Sequence, residues 1–122
     1  MDLTAWKAAH ELVIAIYEVT KSFPPEEKFG LTVQIQKAAV SITSNIAEGF
    51  SRNSMKEKLQ FFSTALASLT EVQNQILIAR DVKYLSQEIF LSLFDKATTT
   101  NRILSGLIKS TRQKRFSYHS QF

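Results

Sequence analysis

The sequence predicts an all-α protein, an up-down-up-down antiparallel four-helix bundle, on three observations. Apolar residues recur at helical spacing through four long segments, and no stretch sustains a period-two alternation. Only three glycines and two prolines interrupt 122 residues. The breaks between the periodic segments are a few residues long, which forces consecutive helices to lie antiparallel.

Each element has its own signals. The first helix runs from about Thr4, a candidate N-cap, to Ser22, because the residue before a proline is pushed out of helical geometry and Phe23-Pro24-Pro25 follows. The second starts at Gly30 or Leu31 and reaches about Arg52. Asn53-Ser54 breaks it, and Ser54-Met55-Lys56-Glu57 is a capping-box pattern in which the Ser54 hydroxyl serves the Glu57 amide. The third helix therefore spans Met55 to about Asp81. Ser86 caps the fourth, Glu88 complements its dipole, and it runs to about Ser110. Residues 1–110 thus form the bundle, roughly 30–40 Å long. Residues 111–122 are expected to be a basic, flexible tail that frays.

A chain of this length suits one domain with one core. The absence of cysteine excludes disulfides and thiolate metal sites and fits a reducing, cytoplasmic setting. Asp2, Lys7, His10 and Glu11 interrupt any apolar leader. The longest uncharged run, Leu59 to Thr70, is twelve residues, too short for a bilayer, so no membrane partner is expected. Charge is more telling once located. Residues 1–108 hold eleven Lys/Arg and eleven Asp/Glu, so the whole net charge of +4 comes from Lys109, Arg112, Lys114 and Arg115. A neutral body carries a cationic end.

The apolar surface exceeds what one bundle needs. A bundle helix requires a stripe a little over about 100° wide. The third helix is close to this, at roughly 160°. Leu12, Val13, Ile14, Ile16, Tyr17 and Val19 on the first spread over about 220°, and Ile89, Phe90, Leu91, Leu93 and Phe94 on the fourth over about 200°. The surplus implies self-association.

The second helix is two-faced. Leu31, Ile35, Ala38, Ile42, Ile46 and Gly49 gather on one side; Lys37, Ser41, Ser44, Asn45, Glu48 and Arg52 gather opposite. Glu48 and Arg52 form an i,i+4 ion pair in the favourable order. The polar stripe reads either as a solvated face or as a network in which Asn45 or Glu48 meets Ser68, Glu71 or Gln75 on the third helix.

Trp6, Tyr17, Phe23-Pro24, Phe29-Gly30-Leu31, Gln34, Ala38 to Ile42, Ser44 to Gly49, Arg52, Ser54 and Glu57 together resemble the 23S rRNA intervening-sequence proteins, the four helix bundle protein family. The likeness continues through Ala65, Ser68-Leu69, Glu71, Gln75 and Ala79. It implies the same bundle, a homopentameric ring and an association with RNA or the ribosome. It also marks Ser44, Asn45, Glu48, Arg52, Ser68, Glu71 and Gln75 as a family polar motif, structural or interfacial. The chain departs from the family at Thr43, where members often carry proline, and at Gln36, where they often carry arginine.

Candidate nucleic-acid contacts are Lys109, Arg112, Lys114 and Arg115, interleaved with Phe116 and Tyr118 for base stacking, and a second group, Arg52, Lys56 and Lys58. No catalytic residues are assigned: a serine, a carboxylate and an arginine on one helix lack a histidine base. His10 and His119 have no metal-ligand spacing, His10-Glu11 is not followed by a second histidine at position 14, and Gly30, Gly49 and Gly106 form no phosphate loop. The sequence thus predicts a non-enzymatic oligomer without cofactor or small-molecule substrate, binding RNA or a ribonucleoprotein. The alternative is an accessory scaffold that docks a partner such as a reverse transcriptase.

Overall fold

Helix stops and starts written into the chain produce four rods. The computed structural model describes residues 3–120, with side chains through residue 116. Its helices are α1 (Thr4–Thr20), α2 (Leu31–Ser51), α3 (Met55–Asp81) and α4 (Gln87–Ser120), with one 3-10 turn at Pro25–Glu27 and no strand among the described residues. Each helix packs on its two neighbours in the cycle α1–α2–α3–α4, the arrangement of an antiparallel four-helix bundle.

The caps explain the boundaries. The Ser54 hydroxyl accepts the Glu57 amide at 3.1 Å, and the Ser86 hydroxyl accepts the Ile89 amide at 3.1 Å, so both predicted N-caps are made. Thr4 opens α1 rather than capping it, and Leu3 holds the cap position with no side-chain bond. Two features escaped sequence reading. The 3-10 turn folds Glu27 back under α2, where Oε1 accepts the Leu31 amide at 3.2 Å and Oε2 accepts the Tyr84 hydroxyl at 2.8 Å. These two donors, Tyr84 foremost, hold the Glu27 carboxyl below its ordinary range. The ring of Tyr84 also meets that of Phe23 at 5.3 Å, which ties the α1–α2 and α3–α4 connections together at one end.

The other feature is the length of α4. It continues to Ser120, beyond the expected end at Ser110, because Leu104, Ile108 and Thr111 prolong its buried face and neither proline nor a glycine stop intervenes after Gly106. At about 1.5 Å per residue its 34 residues span roughly 50 Å, against roughly 26 Å for the 17 residues of α1. The side chains of residues 117–122, Tyr118 and His119 included, lie outside the described residues.

The core is a column of aliphatic side chains: Leu12 and Ile16 from α1, Ile35, Ile42 and Ile46 from α2, Leu69 and Ile76 from α3, Leu104 from α4. Gly49 permits a close approach. A Cβ there would lie 2.4 Å from the Phe62 ring, so α2 and α3 touch through a residue without a side chain. The surplus apolar surface of the outer helices stays uncovered within one chain: Ile14 and Tyr17 on α1 and Ile89 and Leu91 on α4 are exposed. Trp6 is only partly buried; it packs on the core margin and stacks on His10, centroids 4.7 Å apart. No helix among the described residues is long and apolar enough to cross a membrane.

Candidate functional site

Antiparallel pairing of α2 and α3 puts the polar stripe of α2 beside that of α3. The cross-helix bond runs through Ser41, whose Oγ lies 2.9 Å from Ser68 Oγ, rather than through Asn45 or Glu48. Asn45 instead turns back and donates to Ser41, at 2.8 Å to its carbonyl and 3.1 Å to its hydroxyl. Glu48 pairs with Arg52 at 3.0 Å, and the Arg52 guanidinium lies over the Phe61 ring of α3 at 4.6 Å. On α3, Gln75 is buried and donates to the exposed carboxylate of Glu71 at 3.2 Å, while its Oε1 is buried without a hydrogen-bond partner among the described residues. Ser44, Glu48 and Glu71 face solvent. The motif is thus half structural bond, half open surface. The spacing signalled a network, but a four-residue step decides whether Ser41 or Asn45 reaches across.

A second cross-helix pair, Gln36 donating to Thr20 Oγ1 at 3.0 Å, registers α1 against α2. Thr20 is buried and donates its own hydrogen bond to the Ile16 carbonyl at 2.8 Å. Gln36 stood out in the sequence only as a departure from arginine. Its amide supplies a neutral donor here.

One lysine from each of the two basic groups reaches a shared place in the fold. The α2–α3 junction and the far part of α4 lie at the same end of the bundle, beside the start of α1. Between them opens a cleft of about 570 Å³, and both Lys58 and Lys114 line it. Phe50, Met55, Phe62 and Leu107 supply its apolar walls. Lys58 has a structural task as well: its amine donates to the last carbonyls of α2, Gly49 at 3.3 Å and Phe50 at 3.0 Å. Lys56, Lys109, Arg112 and Lys114 are exposed, and Arg115 is partly so. Phe116, one of the two aromatics expected to stack on bases, is 75% exposed.

Among the described residues no group of three or more His, Cys, Asp or Glu could hold a metal ion. The exposed polar atoms offer hydrogen bonds and charge, with no nucleophile-and-base pair among the bonds described above.

The model of the 23S rRNA-intervening sequence proteins matches residues 1–106. The chain belongs to that family. Its cationic segment, from Lys109 onward, lies beyond the residues matched. Among solved structures, the chain is similar to a protein of unknown function from the S23 ribosomal protein family of Bacteroides thetaiotaomicron. The two are 21% identical and superpose with a TM-score of 0.81, over 87% of this chain and 99% of that one. At that identity the likeness establishes a shared bundle. No curated protein matches.

Proposed function

We propose that this family member is a non-catalytic homo-oligomer, a pentamer by the implication of its family, that binds RNA or a ribonucleoprotein through the cationic end of its bundle. One observation carries the reading: Lys58 and Lys114 line the same cleft, and Lys56, Lys109, Arg112 and Arg115 belong to the segments around it. Six cations on one chain hold a polyanion weakly, but copies arrayed in a ring multiply them by raising the effective concentration of each contact. The family name points to rRNA, and a cytoplasmic, ribosome-associated location goes with it. The exposed Ile14, Tyr17, Ile89 and Leu91 support the oligomer. Light scattering with and without total RNA tests both parts. The expected result is a multiple of 13.9 kDa that gains mass with RNA at low ionic strength and loses it as salt rises.

A second reading, an accessory scaffold for a protein such as a reverse transcriptase, is favoured by the outward-facing Ser44, Glu48 and Glu71. Deleting residues 109–122 separates the two. A scaffold keeps its partner, and an RNA binder loses affinity.

A further inference from the structure

We propose that the cleft at the cationic end seats one unpaired base of an RNA strand, with Lys114 on a flanking phosphate; this rests on the RNA-binding reading above and gives it a site. At about 570 Å³ the cleft falls within the range of small-ligand pockets, which typically run about 300–1,000 Å³. Its walls suit a flat, half-polar group. Phe50 is partly buried and lines the opening, braced by Phe62 edge-on at 5.2 Å and 65°. Ser110 adds a hydroxyl at the rim that can donate to or accept from a base edge.

Among the described residues the charges that line it have one sign: Lys58 and Lys114 do, and no carboxylate does. The amine of Lys58 is spent on the α2 carbonyls, where it cancels the negative end of that helix. The exposed Lys114 is therefore the cation left for a phosphate. Gly106 lines the cleft and leaves its wall open: a Cβ there would meet nothing within 4 Å. A glycine inside a helix costs stability relative to alanine and gives no close packing in return at this position, so the open wall is what it provides.

Short oligouridylate and an abasic ribose-phosphate strand of equal length, titrated against the full chain at low salt, test the site. The wild-type protein should bind the base-bearing strand about tenfold more tightly, in keeping with stacking of a single base on an aromatic wall. Gly106→Leu fills the cleft and should abolish that preference while leaving the salt dependence intact. Ser110→Leu does the same from the rim and serves if the first variant folds poorly. Lys114→Gln should lower the slope of log affinity against log salt by about one per chain for both strands. Equal wild-type affinity for the two strands, or a preference that survives both filled variants, overturns the base site and leaves the RNA-binding reading standing. Binding of neither strand overturns both.

Discussion

Gly49 of α2 and Phe62 of α3 are complementary: the Phe62 ring occupies the space that any Cβ at position 49 would need, with its Cε1 only 2.4 Å from that point. Phe62 is itself almost wholly buried and braced by Phe50, so the ring could give way only by turning into the cleft it lines. Gly49→Ala gains helix propensity worth about 1 kcal/mol. Overpacking a tight core costs about 1–3 kcal/mol, so the net effect is destabilising. Chemical denaturation should show a lower midpoint for Gly49→Ala, and adding Phe62→Leu should recover part of the loss. An alanine variant as stable as wild type would mean that the two helices can move apart at no cost.

The connections at the opposite end make stability depend on pH. Glu27 accepts from Tyr84 and from the Leu31 amide, and its folded pKa is lowered from the ordinary 4.5. A lowered carboxyl stabilises the fold above its unfolded value, and that contribution is lost as pH falls through the folded one. Tyr84→Phe should therefore lower the melting temperature at neutral pH, and the gap to wild type should narrow on acidification below about pH 4.5. Tyr84, raised by the same bond, adds the mirror case: its share is lost as pH climbs above 10. Parallel melting curves across the acid range would show that Glu27 is not the group involved.

Most of the bundle was legible because its signals are local. Ser54 and Ser86 cap the helices they were expected to cap, and α3 begins and ends at Met55 and Asp81 as its pattern implies. The end of α4 was not, because a basic run looks like a tail until the buried Thr111 shows that the inward face continues through it. The choice of Ser41 over Asn45 as the partner of Ser68 depends on how far α2 is rotated, which no single helix encodes. Nor does either basic group by itself reveal that Lys58 and Lys114 share a cleft; only the fold brings them together.

The bond between Ser41 and Ser68 is half-buried and joins neutral groups, so its net worth is about 1 kcal/mol. Asn45 shares Ser41 Oγ, which makes the three residues one network. A double-mutant cycle of Ser41→Ala and Ser68→Ala should return a coupling of about 0.5–1.5 kcal/mol. Strict additivity would place the pair's role elsewhere, in a contact with another chain.

Assembly is where the outer apolar residues decide the outcome. Ile14 is 57% exposed, on the arc of α1 opposite Ile16 and Leu12. The Thr20–Gln36 bond sets an antiparallel register that brings Val40 of α2 near the level of Tyr17, and both are exposed as well. An isolated chain gains little from Ile14 at such a position, whereas a covered one gains about 1–2 kcal/mol per copy from burying the exposed part of the side chain. Ile14→Asp removes that gain and would strand a charge in any interface, yet it leaves the intrachain core untouched. Sedimentation should therefore show a smaller particle for Ile14→Asp with unchanged helix content by circular dichroism. RNA affinity should fall with the mass, since fewer cationic ends would act together. A variant that keeps its full mass would move the interface to Ile89 and Leu91 on α4, and a wild-type protein that sediments at 13.9 kDa would remove it altogether.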